Sequence, residues 1–424
     1  MSGKLKRAYN EYPNSFKVLT LATFIDTLGR FLLFPFFAIY ITEHFNVGLI
    51  EVGLLFSIFS AGNIIGGVIG GALADKYGRR KIILFGLVVS GISSISMGLV
   101  NDLYVFYILA SVLGLIGNFG GPARQAMVSD LLPKEKRAEG FGILRVALNV
   151  SAVIGPIFGG MLATRSYMLL FIADAVSSII TGIIVFIVIP ETKPQSLDNK
   201  PEESVFKTII GYKEVLKDGL FLLFLSVSAI TVLVYMQLNS TLSVFLWEVH
   251  SFPVETFGWL LSMNAVMVVI FQFWITKKLS KYAPMKMMAL GTLFYMVGFG
   301  MYGFISEPYM FFIAMGILTI GEMIVIPVSQ SAVASFAPED KRGRYMAVFG
   351  LHWAIPNLFG VILAGLVSEI FGANWVWYLA GILCLIAVLG FWVLHGIAKD
   401  RFSSKMQLEE IQKKEEKEIH ELIA

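Results

Sequence analysis

The chain has 424 residues, of which 56% are hydrophobic and 15% are charged, and its mean hydropathy is +0.75. This composition is too apolar for a protein whose surface faces water, and too rich in Phe, Ile, Leu and Val for a disordered chain. A single cysteine excludes a disulfide scaffold, and a net charge of +3 is too small to indicate nucleic-acid binding. The composition therefore predicts a protein embedded in membrane lipid.

Stretches of about 20 mostly apolar residues, long enough to cross the hydrocarbon layer, occur twelve times along the chain. Because open sheet edges are excluded from lipid, each stretch is predicted to be a helix. The predicted spans are Phe16 to Thr42, Leu49 to Ala74, Ile82 to Val100, Leu103 to Val128, Phe141 to Ala163, Tyr167 to Ile189, Leu220 to Leu246, Phe257 to Thr276, Met285 to Ile305, Tyr309 to Phe336, Tyr345 to Ile370 and Trp375 to Ile397.

Basic residues set the predicted orientation of these spans. Of the 33 Lys and Arg residues, all but Arg165, Arg30, Arg124 and Arg145 fall on one face. Short loops rich in Lys and Arg stay in the cytoplasm, so both termini are predicted to be cytoplasmic, in a multi-pass protein of the cell inner (cytoplasmic) membrane.

The longest polar interruption divides the chain into an N-terminal six-helix bundle (1–189), a cytoplasmic linker (190–219), a C-terminal six-helix bundle (220–397) and a charged cytoplasmic tail (398–424). A shift of 205 residues places Pro122, Gln125 and Pro133 on Pro327, Gln330 and Pro338, which indicates an internal repeat. Two halves of the same topology predict a pseudo-two-fold axis along the membrane normal and a cavity between the halves, as in transporters.

The most specific motif is G-A-L-A-D-K-Y-G-R-R-K, from Gly71 to Lys81, in the loop after the second span. Gly71 allows close packing of the helix end, Asp75 offers a carboxylate to the start of a facing helix, and Gly78 permits the turn that presents Arg79. This pattern resembles the signature loop of the major facilitator superfamily. The resemblance implies a twelve-helix all-α membrane fold in two pseudo-symmetric six-helix bundles.

It also implies that Gly71, Asp75, Gly78 and Arg79 form a conformational latch against the start of the eleventh helix, near Gly343 to Met346. The repeat has Ser280 in place of Asp75, so the latch is expected on one side only.

The fifth span carries G-P-I-F-G-G, in which Gly155, Pro156, Gly159 and Gly160 favour close helix packing. This motif resembles the one typical of the drug:proton antiporter branch of the superfamily. Further resemblance, to multidrug exporters of the LmrP type, rests on residues of the seventh and tenth spans. These residues are Tyr212 to Leu216, Met236, Gln237, Gly321, Glu322 and Pro327, followed by Pro338 and Tyr345.

Ionisable residues inside spans are costly and indicate function. Glu322, near the middle of the tenth span, is the first candidate for proton coupling, and Asp26 is the second. Asp26 and Arg30 lie four residues apart and can pair, either as a permanent salt bridge or in a functional role. Asp174 is expected to pair with Arg165 or with solvent. Arg124 is expected to reach the membrane surface and to have no special role.

Further polar residues are predicted to line a substrate cavity: Arg30, Arg145, Asn149, Gln237, Asn239, Asn264, His352 and Trp353. Arg145 can neutralise Asp26, contact an anionic substrate, or compete with the proton on a carboxylate. No catalytic constellation, ATP site or metal motif occurs, so neither an enzyme nor a cofactor is expected.

The predicted function is proton-coupled export of hydrophobic or amphipathic small molecules, as in multidrug efflux, by a protein expected to be a monomer. Export or flipping of an anionic amphiphile, such as a lipid or organic acid, is an alternative that Arg30 and Arg145 favour. A non-transporting membrane sensor or scaffold on the same fold is a third interpretation, which the Gly71–Lys81 motif and Glu322 disfavour because buried ionisable groups are costly.

Overall fold

The computed structural model describes residues 12–192, 215–279, 282–338 and 342–398, and the regular structure of these residues is helical. Most of the predicted linker and nearly all of the predicted tail lie outside the described residues. The described residues form twelve helical segments in chain order: α1 Asn14–Phe45, α2 Leu49–Tyr77, α3 Arg79–Leu99, α4 Leu103–Leu131, α5 Lys134–Ala163, α6 Tyr167–Val188, α7 Gly219–Glu248, α8 Val254–Leu279, α9 Pro284–Met301, α10 Pro308–Phe336, α11 Arg342–Phe349 with Leu351–Phe371, and α12 Asn374–Ile397.

Eleven helices in the described part of the chain are long and apolar enough to cross a membrane. The segment at the ninth position, α9, has 18 residues, which is about 27 Å at 1.5 Å per residue. The surfaces of the helices carry large apolar side chains: on α6, Val176, Ile179, Ile183 and Ile187 form an exposed stripe at helical spacing. Such a stripe faces lipid in a membrane protein, so the chain is a multi-pass membrane protein.

The helix ends have recognisable local causes. Asp102 precedes α4, and its carboxylate accepts a hydrogen bond from the Val105 amide at 2.9 Å. Ser166 precedes α6 and accepts in the same way from the Met168 amide. Between α2 and α3 the chain turns at one residue, Gly78, whose φ of +105° is a conformation that side chains other than glycine rarely adopt.

The contacts divide the chain into two compact units. The first contains the helices α1–α6 together with Met236–Val266 and Asn357–Ala373. Within it, α1 packs against α5 and α6, α3 against α6, and α2 against α4. One core cluster joins Phe16 of α1, Leu87 of α3, Met127 of α4 and Val185 of α6, all at most 5% exposed.

The second unit contains the described residues of 215–235, Met267–Pro356 and 374–398. In it α9 packs between α10 and α12. Aromatic side chains fill both ends: Phe221, Phe224 and Phe336 form ring pairs near one end, while Tyr302 and Trp377 form a ring pair with centroids 5.2 Å apart near the other. Ring pairs of this kind stabilise a core beyond the effect of burying the aromatic side chains alone.

Four of the twelve segments are interrupted. A 3-10 turn at Phe34–Phe36, which contains Pro35, interrupts α1, and turn residues 118–119, 237–240 and 350 interrupt α4, α7 and α11. The sequence predicts uninterrupted spans at these places. Irregular backbone inside a membrane protein is tolerated where protein or a water-filled cavity surrounds it. The breaks are therefore places where a functional site is expected.

Candidate functional site

A charged cluster lies inside the first unit, between α1 and α4. Asp26 is 5% exposed, and its Oδ2 accepts a hydrogen bond from Nη1 of Arg124 at 2.9 Å. The same Oδ2 lies 3.6 Å from Nη2 of Arg30, one helical turn further along α1. The expectation that Arg124 reaches the membrane surface is therefore wrong, because a carboxylate from another helix holds its guanidinium inside the bundle.

Asp174 of α6 belongs to the same region. It is 8% exposed and lies within electrostatic range of Arg30 and Asp26. The prediction that it pairs with Arg165 or with solvent is wrong. The formal charges of Asp26, Asp174, Arg30 and Arg124 sum to zero, which lowers the cost of burying the two carboxylates.

Arg145 and Asn149 lie on α5, outside this cluster. Arg145 is exposed and Asn149 is half-buried. Within the described chain the partner that neutralises Asp26 most closely is Arg124, at 2.9 Å, so the alternative in which Arg145 does so is wrong. Its two other interpretations, contact with an anionic substrate or competition with the proton on a carboxylate, stay predictions.

A second polar cluster lies inside the second unit, around Glu322 of α10. This side chain is half-buried, and the hydroxyl of Tyr235, on α7, donates a hydrogen bond to its Oε1 at 3.0 Å. The Tyr235 ring lies 5.9 Å from the rings of both Tyr295 and Trp353. The predicted proton-coupling residue Glu322 thus has an aromatic surrounding from α7, α9 and α11.

Next to these rings is a small cavity of about 20 Å³. Its lining includes Tyr235, Tyr295, Trp353 and His352, and His352 is buried and stacked on Phe349 with ring centroids 3.7 Å apart. The structure therefore brings two of the predicted cavity residues, His352 and Trp353, together with the neighbours of Glu322. The sequence analysis does not predict Tyr235 and Tyr295 as site residues. A Tyr inside a span needs a hydrogen-bond partner for its hydroxyl, and this requirement could have indicated them.

The predicted cavity residues of α7 lie at the break in that helix, in the first unit. Gln237 is 5% exposed, its Nε2 donates to the Gly360 carbonyl of α11 at 3.1 Å, and its Oε1 accepts from Thr241 at 2.6 Å. Its amide is therefore used to stabilise the break, which differs from the predicted role in an open cavity. Asn239 and Asn264 are half-buried.

The G-P-I-F-G-G segment of α5 lies between α1 and α8. A Cβ added to Gly155 would lie 2.5 Å from Cβ of Phe31, and one added to Gly160 would lie 2.9 Å from Cα of Glu255. Gly159 faces Leu32 and Phe36 of α1, and Pro156 faces Gly258 of α8. The small residues therefore permit a close approach of three helices, as the motif predicts.

The Gly71–Lys81 segment is almost entirely helical, whereas the sequence indicates a loop, because Gly78 alone makes the turn. Gly71 packs close to Pro122 of α4. Arg79 is 8% exposed and forms an ion pair with Asp130 at the end of α4, so the turn buries this guanidinium and does not present it. The side chains of Asp75 and of Arg344, in the predicted latch region Gly343 to Met346, lie outside the described part of the molecule.

Arg80, the next residue, is anchored to the end of α6. Its guanidinium donates to the Phe186 carbonyl and lies over the Phe186 ring, 5.2 Å from the centroid, and its amide donates to Glu191 at 3.2 Å. Neither Glu191 nor Asp130 follows from the motif, since both lie far from it along the sequence.

The sequence profile of the Major Facilitator Superfamily matches residues 19–285 and 229–418, so the chain belongs to this family of membrane transporters. It is 26% identical over 413 residues to a Na(+), Li(+), K(+)/H(+) antiporter of Planococcus maritimus, with 91% of this chain and 97% of the relative covered. It is 23% identical over 349 residues to the multidrug resistance protein MdtH of Shigella flexneri, with 82% and 85% covered.

Among solved structures, the nucleoside transporter NupG superposes on the chain with a TM-score of 0.78 at 12% identity, over 90% of this chain and 100% of that one. At this identity the likeness shows the major facilitator fold, which confirms the predicted fold class.

Proposed function

We propose that this chain is a proton-coupled antiporter that exports hydrophobic or amphipathic small molecules across the cytoplasmic membrane by alternating access. Its relatives include a cation/proton antiporter and a multidrug resistance protein, each similar over more than four-fifths of this chain. A proton-coupled antiporter needs a group inside the protein that binds a proton in one conformation and releases it in another.

The observation that carries the proposal is the different surrounding of the carboxylates in the two units. Two arginines neutralise Asp26 inside the first unit, with N to O distances of 2.9 and 3.6 Å. Glu322, in the second unit, accepts a hydrogen bond from the neutral hydroxyl of Tyr235 and lies among aromatic rings. A charge at this depth in a span is costly, so Glu322 suits a site that alternates between a carboxylate and a carboxylic acid.

Aromatic side chains near Glu322 favour an amphipathic substrate. Tyr235 and Trp353 are half-buried, with rings at 86° to each other and centroids 5.9 Å apart. Half-buried rings of this kind bind flat apolar or cationic molecules through their faces, with little demand on exact shape. A substrate that carries a positive charge would compete with the proton for Glu322, which couples the two fluxes.

The test is the flux of ethidium, a flat amphipathic cation, in proteoliposomes with and without an imposed pH gradient. We expect Glu322→Gln, which resembles the protonated acid, to retain downhill ethidium exchange but to lose uphill accumulation. Asp26→Asn should reduce both, because it removes the partner of Arg30 and Arg124. If Glu322→Gln still accumulates ethidium against its gradient when the pH gradient is imposed, the proton site is not Glu322.

A second candidate, exchange of Na+, Li+ or K+ for protons, is favoured by the similarity to the antiporter of Planococcus maritimus. Carboxylate and hydroxyl oxygens such as those of Glu322 and Tyr235 are ligands that hard cations accept. Addition of each chloride salt to proteoliposomes with a pH-sensitive dye inside distinguishes the two. Proton movement with the alkali cations and none with ethidium would favour the second candidate.

A further inference from the structure

From the cavity beside Glu322 we infer that a buried water-binding site and His352 relay protons between Glu322 and one end of the second unit. The inference rests on the proposed function, since it concerns the path by which the coupling proton reaches its acid. The relay consists of Glu322, the Tyr235 hydroxyl, water in the cavity, and Nε2 of His352.

The cavity has the size and the lining of a water site. A volume of about 20 Å³ exceeds the roughly 10–15 Å³ that one water molecule needs. Its lining includes the polar side chains Ser228, Thr231, Tyr235, Ser329 and His352. Hydroxyls of Thr231 and Ser329 donate to backbone carbonyls at 2.7 and 2.8 Å, which leaves their oxygens able to accept from water.

Ser228 gives independent evidence for a bound polar molecule. It is 1% exposed, it lines the cavity, and its Oγ has no hydrogen-bond partner among the described residues. A buried hydroxyl without a partner costs about 1–3 kcal/mol, and a water in the adjacent cavity removes that cost. The polar lining therefore favours water over an empty apolar void.

The tautomer of His352 follows from its backbone contact. Nδ1 lies at hydrogen-bond distance from the Phe349 carbonyl oxygen, and because a carbonyl only accepts, Nδ1 carries a hydrogen. In the neutral ring Nε2 is then the atom that accepts a proton. Among the described residues, Tyr295 of α9 and Cys384 of α12 are further titratable groups in electrostatic contact with this cluster.

The proton transfer balances atom by atom. A proton leaves Nε2 of the His352 imidazolium for the water, the water gives a proton to the Tyr235 oxygen, and the Tyr235 hydroxyl proton moves to Oε1 of Glu322. The hydrogen bond from Tyr235 to Glu322 already points in this direction. The products are neutral His352, unchanged water, unchanged Tyr235 and a carboxylic acid; release of the proton is the reverse.

The relay leads toward the end of the unit where α10 ends and α7 begins. Glu322 lies fourteen residues before the end of α10, about 21 Å, whereas Ser329 lies seven residues before it, about 10 Å. Ser228 lies nine residues after the start of α7, about 14 Å. The cavity thus lies beside Tyr235, between Glu322 and the face that the basic residues predict to be cytoplasmic.

The test measures how fast substrate addition releases protons, by stopped-flow fluorescence of a pH-sensitive dye in proteoliposomes, with ethidium and the alkali chlorides as probes. Tyr235→Phe removes only the bridging hydroxyl, His352→Gln keeps a hydrogen-bonding side chain that takes up no proton, and Ser228→Val fills the cavity. We expect each to slow release by about tenfold or more with its final extent unchanged. The matched control Tyr302→Phe, a fully buried phenol elsewhere in the unit, should release at the unmodified rate.

The outcomes separate the relay from the proposed function. Unmodified rates in Tyr235→Phe, His352→Gln and Ser228→Val, together with loss of release in Glu322→Gln, would overturn the relay and leave the coupling site standing. The absence of proton release by the unmodified protein with every probe would overturn the proposed function, and the relay with it.

Discussion

Arg124 and Arg30 hold Asp26 with unequal geometry, and this difference makes a prediction about stability. The Arg124 side chain is 18% exposed and bonded at 2.9 Å, whereas that of Arg30 is 65% exposed at 3.6 Å. Removal of one partner from a buried pair costs about 3 kcal/mol, while an exposed pair contributes at most about 1 kcal/mol. We therefore expect Arg124→Gln to lower the unfolding temperature in detergent clearly more than Arg30→Gln.

A double variant provides the control for this prediction. Asp26→Asn combined with Arg124→Gln removes both charges, so it should be more stable than Arg124→Gln alone. Equal unfolding temperatures of Arg124→Gln and Arg30→Gln would show that Arg124 stabilises the buried carboxylate of Asp26 no more than Arg30 does.

Single residues were predictable only where their partners lie on the same helix. Asp26 and Arg30 follow from a spacing of four residues, but Arg124 lies 98 residues from Asp26, on α4. The same limit applies to Arg79 with Asp130 and to Tyr235 with Glu322. Whether two residues on different helices pair depends on how the helices are rotated relative to each other. The periodicity of one helix gives no information on that rotation.

Helix packing makes a prediction about Gly160. Its missing Cβ would meet the Glu255 backbone at 2.9 Å, whereas nothing lies within 4 Å of an added Cβ at Gly182 of α6. Overpacking of this kind costs about 1–3 kcal/mol. Gly160→Ala should therefore lower the unfolding temperature and slow ethidium transport, because α5 and α8 separate.

Gly182→Ala is the matched control, since it makes the same change in a transmembrane helix with free space around it. It should leave the unfolding temperature unchanged or raise it, because alanine favours helix by up to about 1 kcal/mol over glycine. Equal effects of the two substitutions would show that the close approach of α5 and α8 at Gly160 does not contribute to stability or transport.

The helices were predicted well because the length of each apolar stretch determines where a membrane-spanning helix begins and ends. The predicted span Tyr167 to Ile189 corresponds to α6, Tyr167–Val188, and Trp375 to Ile397 corresponds to α12, Asn374–Ile397. The interruptions escaped prediction because the turn residues 237–240 are as compatible with helix as their neighbours. What permits the break is a tertiary contact, from Gln237 to the Gly360 carbonyl.

At the scale of the whole molecule, the family and the apolar surface establish a multi-pass transporter. The side on which each loop lies is a prediction from basic residues. Lys136 follows Pro133 at the start of α5, and its ammonium group lies over the Tyr12 ring at 5.4 Å from the centroid. Arg165 is exposed in the short connection between α5 and α6. One helix, α5, therefore separates the two positions and has to place them on opposite sides.

Cysteine labelling tests this orientation. In a background with Cys384→Ala, which removes the one native thiol, we introduce Lys136→Cys or Arg165→Cys. Because short basic loops stay in the cytoplasm, an impermeant thiol reagent added to intact cells should label Arg165→Cys and should label Lys136→Cys only after the membrane is opened. The parent without cysteine gives the background signal. Labelling of Lys136→Cys in intact cells would show that the orientation is the reverse of the predicted one. The proton relay from Glu322 would then lead to the outside.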